Sequence, residues 1–299
     1  MSTMKTGNDI KILVTDSGLG GLSVLNDILK KLKCESPYEN VELIFADALF
    51  DANSGYNKLS TLQEKVDIFN VALFGMEKFF KPDIIFIACN TLSVLYEHTH
   101  FSKETNTQVV GIVNFGVDLI FSKLSKTSDA NVIIFATETT VNSSAHKQEL
   151  VKKGILEERI FTKACPQLQS FIERNPNGLE TKMLIEKYST EVLKEISNTA
   201  NLFISLNCTH YGYSLNLWED VFESKRIKLR GILDPNNQMA TVLFSDKILK
   251  TKKPNINIQI VSKVEMANDN KNAMIQLFKI EAPELSEAIE NYIFKPDLF

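Results

Sequence analysis

Short, strand-like runs rich in apolar residues punctuate the chain at KILVT (11–15), VELIFA (41–46), DIIFIA (83–88), VVGIV (109–113), NVIIFA (131–136), NLFISL (201–206) and IKLRGI (227–232). Runs of Val, Ile and Phe without polar alternation suit parallel strands covered on both faces. Between them, apolar residues recur at helical spacing. The clearest such segment begins at Ser60, where Ser60 and Gln63 have capping-box spacing and Leu62, Val66, Phe69 and Leu73 trace one face. Another spans Leu179 to Ile196, with Met183, Ile185, Val192 and Leu193 as its apolar positions. Strands alternating with helices predict an α/β fold with a largely parallel sheet. Asn175-Pro176-Asn177-Gly178 and the stretch from Lys250 to Pro254 read as loops, and neither has the length of a tether.

Composition narrows the function classes. A chain of 299 residues accommodates two compact domains or one large one. The formal net charge of -4 argues against a general nucleic-acid binder, which carries a basic surplus. No run approaches the roughly 20 apolar residues of a membrane helix. The segment MSTMKTGND lacks the apolar core of a signal peptide, so a cytoplasmic protein is expected. The cysteines are Cys34, Cys89, Cys165 and Cys208, with no CxxC pair, so neither a zinc site nor a thioredoxin-like motif is indicated. A disulfide framework is not expected in a reducing compartment. Cys34 and Cys165 are read as small buried hydrophobes.

The other two cysteines end strands. IIFIACNTLS (84–93) and LFISLNCTHYG (202–212) each run from an apolar strand into a cysteine followed by small polar residues, which has the look of a pseudo-repeat. In parallel α/β sheets, ligands bind beyond the carboxyl ends of strands, and Cys89 and Cys208 stand there. Asn90 and Thr91 follow the first thiol, while Thr209, His210 and Tyr211 follow the second. His210 is suited to acid–base partnership with a thiol whose free pKa is about 8.5. His98 and His100 are read as surface residues, and His146 has no comparable context. A third segment, TDSGLGGLSVL (15–25), forms a glycine-rich turn from strand to helix without the dinucleotide or P-loop pattern. Asp16 would repel a phosphate there, so it reads as a general base or a partner for a cation. Three chemistries remain open. A Cys–His hydrolase uses only one thiol. A metal site of Cys89, Cys208 and His210 leaves Asn90 and Thr91 without a role. A two-base racemase uses both thiols, one on each face of a substrate carbon.

On the stretches DSGLGGLSV (16–24), ACNT (88–91), TVNS (140–143), CPQL (165–168) and CTHY (208–211), the chain resembles the aspartate/glutamate racemase superfamily, and glutamate racemases most closely. The resemblance runs from about residue 10 to the C-terminal helix. It implies two pseudo-symmetric α/β lobes with the substrate between them: 10–114 plus 231–299 for the lobe of Asp16 and Cys89, and 115–230 for that of Cys208 and His210. It implies no pyridoxal phosphate, no other cofactor and no metal. Cys89 and Cys208 would carry protons to and from an acidic amino acid, glutamate first and aspartate or another behind it. Asp16 would assist Cys89 and His210 would assist Cys208. Ser17, Asn90, Thr91, Thr140 and Thr209 would hold the substrate, and Glu173 would be an auxiliary acid near the second thiol. The expected partner is a small amino acid, with a homodimer allowed and neither nucleic acid nor membrane. A place in peptidoglycan biosynthesis also follows from the resemblance. A non-catalytic amino-acid binder of the same fold is the alternative, with a Cys-dependent hydrolase or lyase behind it.

Four positions depart from the family pattern. Asn53-Ser54-Gly55-Tyr56-Asn57 stands where a Pro-Tyr-Gly segment usually anchors a carboxylate, so Gly55 and Tyr56 are expected to take over that task. Asn207 replaces a glycine before the second cysteine, Gly212 a proline after the tyrosine, and His146 a tyrosine after TVNS. These changes are expected to alter the pocket wall rather than proton transfer.

Overall fold

The computed structural model describes residues 8–52, 54–197, 199–244 and 253–299. Residues 1–7, Asn53 and residues 250–252 of the expected loop lie outside the described residues. In chain order the elements are β1 (Asp9–Asp16), α1 (Leu22–Cys34), β2 (Asn40–Asp47), α2 (Leu62–Phe80), β3 (Ile84–Ile87), α3 (Asn90–Tyr96), α4 (Phe101–Glu104) and β4 (Gln108–Gly111). They continue as α5 (Val113–Leu124), β5 (Asn131–Ala136), α6 (Glu138–Ser143), α7 (Ala145–Lys152), β6 (Ile160–Ala164), α8 (Leu168–Arg174), α9 (Leu179–Leu193), β7 (Leu202–Asn207), α10 (Leu215–Ser224) and β8 (Leu229–Leu233). The last are α11 (Asn236–Met239), β9 (Asn255–Ser262), α12 (Asn268–Phe278), α13 (Pro283–Glu290) and β10 (Ile293–Phe294).

Two compact units result, Met1–Ile112 with Asn236–Phe299, and Val113–Pro235. The first holds a parallel sheet in the order β10-β9-β2-β1-β3-β4, the second a parallel sheet in the order β6-β5-β7-β8. The α/β reading therefore holds, and the continuous apolar runs are strands. The interiors of β1, β3 and β7 are buried on both faces, whereas β4 is half-buried throughout and β8 is partly exposed. Gly231 and Ile232 pair with Phe203 and Ile204, so all of β8 belongs to the second sheet.

Three strands lack a continuous apolar run. In β9, NINIQIVS alternates amide and apolar side chains and has a partly exposed first half. It pairs with β2 along its length but with β10 only at Val261 and Ser262. The edge strand β6, IFTKA, is mostly half-buried, and β10 is two residues long.

Helix boundaries also differ from expectation. The N-cap of α2 is Thr61 rather than Ser60, and its box partner is Glu64 rather than Gln63. The Glu64 backbone N–H donates to Thr61 Oγ1 at 3.2 Å, and the Thr61 N–H donates to Glu64 Oε2 at 2.9 Å. An ionised carboxylate is the stronger acceptor, which decides the register. Leu62 is consequently exposed, while Val66, Phe69 and Leu73 are buried. In α9 the buried face runs through Thr181, Ile185, Tyr188 and Val192 at helical spacing; Met183 lies 59% exposed and is not a core residue. Cys34, the last residue of α1, is exposed rather than buried, whereas Cys165 is fully buried.

Arg159 holds the start of β6 against the end of α5. Its guanidinium donates to the carbonyls of Ala130 (2.8 Å), Leu124 (3.1 Å) and Thr127 (2.6 Å) at a helix end and its following turn, where the Leu124 and Thr127 carbonyls also accept the backbone N–H groups of Thr127 and Ala130. Arg159→Ala is expected to cost about 2 kcal/mol, the range of charge-assisted bonds lost together. Lysine cannot reproduce the planar fork, so Arg159→Lys should recover little of it. The measurement is the urea midpoint at constant slope, and an unchanged midpoint in the alanine variant refutes the assignment.

Candidate active site

In the first unit, β1 delivers Asp16 to its carboxyl end, in register with Asp47 of β2, and Asp16 is buried. The turn beyond it is tight. A Cβ on Gly21 would lie 2.8 Å from Asp16 Cβ and 3.1 Å from its Oδ2, so glycine is what lets the 3-10 turn Leu19–Gly21 close over the carboxylate. Asp16 Oδ1 accepts the Ser17 backbone N–H at 2.6 Å, and the Ser17 hydroxyl lies 3.5 Å from the same oxygen and 3.2 Å from Cys89 Sγ. Ser17 thus bridges the acid and the thiol. Cys89 caps α3, which the Ser93 hydroxyl ties to β3 by donating to the Ile87 carbonyl at 3.0 Å.

Asn90 is 2% exposed, and neither its amide nitrogen nor its amide oxygen has a hydrogen-bond partner among the described residues. A buried amide left so costs several kcal/mol, on the order of 2–7, unless something else satisfies it. Thr91, the next residue, is also buried. Tyr56 is near this thiol but serves the core. Its ring packs edge-on against Phe50 and Phe69, and its hydroxyl donates to the Ala48 carbonyl at 3.1 Å. Burial, then the charges of Cys89 and Asp47, push its phenol well above the usual range, so it stays neutral. Gly55 is extended at φ -96 and ψ 170, and a Cβ there meets only Leu49 Cδ1 at 4.0 Å.

In the second unit, β7 delivers Cys208, and the next turn folds His210 back onto it. His210 Nδ1 lies 3.8 Å from Cys208 Sγ, and its Nε2 lies 2.7 Å from Glu173 Oε2 of α8. Burial alone would lower the imidazole pKa, but hydrogen bonds to Cys208 and Glu173 and their charges outweigh it, and the net shift is well above 6.5. This direction favours the imidazolium form, in which both ring nitrogens donate, Nδ1 toward Cys208 and Nε2 toward Glu173. Thr209 is buried beside the thiol. Thr140 lies in the first turn of α6, with its hydroxyl 3.0 Å from that of the N-cap Thr137.

Within its own unit, the structure therefore joins Asp16, Ser17 and Cys89 in one chain of contacts, with Asn90 and Thr91 adjacent, and Glu173, His210 and Cys208 in another. His98 and His100 are exposed, as expected. His146 is not a bystander: it is buried and bonded to Asn207, the residue before Cys208. Its partner lies 61 residues away, so the only local sign was a polar pair, Ser205 and Asn207, two apart in an apolar strand. No grouping of three or more His, Cys, Asp or Glu suited to a metal occurs among the described residues, and no helix among them is long and apolar enough to cross a membrane.

No family model matches the chain. A glutamate racemase of Aquifex pyrophilus is 30% identical to it over 203 residues, spanning 68% of this chain and 71% of that protein. A glutamate racemase of Aliarcobacter butzleri is 31% identical over 207 residues, spanning 68% of this chain and 72% of that protein. The crystal structure of the Francisella tularensis glutamate racemase in complex with D-glutamate has a TM-score of 0.68 to this chain at 20% identity, covering 92% of this chain and 96% of that one.

Proposed function

The chain belongs to the glutamate racemase family and is an amino-acid racemase, and from that premise we propose that it interconverts L- and D-glutamate by a cofactor-independent two-base mechanism at Cys89 and Cys208. The observation that carries this reading is the repetition of one device in two units: a buried thiol at a strand end, a hydrogen-bonding side chain against it, and a carboxylate behind that side chain.

In the proposed cycle one cysteine, as thiolate, takes the α-proton from one face of Cα. The other, as thiol, gives a proton to the opposite face and is left as thiolate. The protein then stands ready for the reverse reaction, and inversion follows from geometry alone. His210, held protonated by Glu173, stabilises the thiolate form of Cys208. Asp16 holds Ser17, whose hydroxyl meets Cys89. Asn90 offers an unspent donor and acceptor for the amino and carboxylate groups, with Thr91, Thr140 and Thr209 as further binding groups. Gly55 can contribute through its backbone; Tyr56 would contribute packing rather than its hydroxyl, which the Ala48 carbonyl occupies. Glutamate is chosen because the relatives above are glutamate racemases.

The deciding experiment incubates purified protein with single L- and D-amino acids in heavy water, without added cofactor, and reads Cα deuterium by NMR. Glutamate should exchange and racemise fastest. Binding without exchange for every amino acid supports the non-catalytic alternative instead. Asp16→Asn, which keeps the shape and removes the charge behind Ser17, should lower kcat about tenfold with less effect on KM. An unchanged kcat takes Asp16 out of the machinery.

A further inference from the structure

Asn207 ends β7 and is fully buried, one residue before the thiol. Along β7, Leu202, Ile204 and Leu206 enter one core together with Cys208, whereas Phe203 enters the core that contains residues of α5 and α7. Ser205 and Asn207 keep the alternation of Phe203. A buried primary amide on that face is costly unless its atoms are bonded. Here both are: Oδ1 accepts from the Ser205 hydroxyl at 2.7 Å, and Nδ2 donates to His146 Nε2 at 2.8 Å. An amide nitrogen can only donate, so Nε2 is the acceptor and the imidazole is neutral. Burial agrees, holding His146 down at about 4. Helix α5 closes the arrangement: a Cβ on Gly116 would lie 2.5 Å from Asn207 Nδ2 and 3.3 Å from His146 Nε2. The equivalent residue before Cys89 is Ala88, which has no polar group to anchor.

We infer that His146 and Asn207 form one positioning unit for Cys208, a buried hydrogen-bonded pair that anchors the peptide carrying the thiol and so aims Sγ at His210. The two departures at 146 and 207 are thus a single change. Both side chains are nearly inaccessible and bonded to each other, so they act behind the thiol rather than as a wall of the pocket. The inference rests on the two-thiol reading above.

The test separates the thiols. In a Cys89→Ala background, α-proton exchange in heavy water reads Cys208 alone; in a Cys208→Ala background it reads Cys89 alone. His146→Leu, which leaves the amide without its acceptor, should slow exchange by Cys208 about tenfold and leave exchange by Cys89 unchanged. His146→Gln supplies a new acceptor and should restore most of the loss. Asn207→Ala, which removes the amide together with its demand for a partner, serves if His146→Leu does not fold, and should show the same asymmetry. In parallel, iodoacetamide labelling with both cysteines present, read per peptide by mass spectrometry, should change at Cys208 and not at Cys89. Equal losses at both thiols, or none at either, overturn the inference. Absence of exchange in the Cys89→Ala protein alone counts against the two-thiol mechanism, and the labelling then still decides the positioning role.

Discussion

Cys89→Ala and Cys208→Ala should each depress racemisation by at least about a thousandfold, within the range that a positioned proton donor or acceptor supplies. Alanine leaves no group at the strand end to take or give a proton, and under the two-base proposal the companion thiol cannot substitute because it would address the other face of Cα. Each single variant should still exchange the α-proton of one enantiomer in heavy water, and the two variants should favour opposite enantiomers. That pairing distinguishes two bases from one. A Cys–His hydrolase or lyase predicts that one of the two alanine variants keeps near full activity, and such a result would end the two-base scheme. Folding is a lesser concern, since each change removes one small sulfur from a site where Cys89 and Cys208 keep 6% and 7% exposure.

His210→Asn should lower kcat about a hundredfold, less than loss of the thiol itself because it removes only the partner. The informative companion is Glu173→Gln. In the folded protein burial opposes the charge on His210, and the bonds and charges of Cys208 and Glu173 overcome it. The raised pKa means that the imidazolium form, and the stability it lends, is fully present below about pH 6.5 and is lost as pH rises through the folded value. Activity that needs the imidazolium falls along the same alkaline limb. Without the Glu173 charge, burial gains ground and the folded pKa drops, so the limb of kcat should move to lower pH. Profiles of kcat against pH for the two proteins check the sign. A limb that stays in place, or moves upward, excludes Glu173 as the residue holding the charge.

Most of what positions this site is legible in the sequence because it is local. An apolar run ending in a cysteine places the thiol at a strand terminus whatever the rest of the chain does, and Asp16 and His210 stand within two residues of such termini. Elements whose burial is uneven were not legible. The alternation in β9 resembles an amphipathic surface strand, and β6 carries Thr162 and Lys163 at an edge. The cap of α2 is ambiguous by one residue in the sequence because Ser60 with Gln63 and Thr61 with Glu64 match the same spacing, and only the charge of Glu64 separates them. The helical period of α9 was visible, but Met183 and Leu179 are apolar on its solvent face. The bond from His146 to Asn207 depends on α7 packing against α5, which itself packs on β7, and no short window reveals that. The reach of Tyr56 to the Ala48 carbonyl is of the same kind: its hydroxyl is engaged in the core by a residue that no local pattern marks as its partner.

The weak outer pairing of β9 bears on how the protein behaves in concentrated solution. From Asn255 to Ile260 the strand is bonded to β2 on one side, while among the described residues its other side is paired only at Val261 and Ser262, by β10. The segment NINIQI is uncharged, rich in β-branched residues and free of proline, the composition that lets an open edge recruit another strand into a growing sheet. Lys253 and Pro254, immediately before it, are the kind of residues that interrupt such recruitment. Self-association of the purified protein should therefore begin at this edge, and a lysine in place of Asn257 would suppress it.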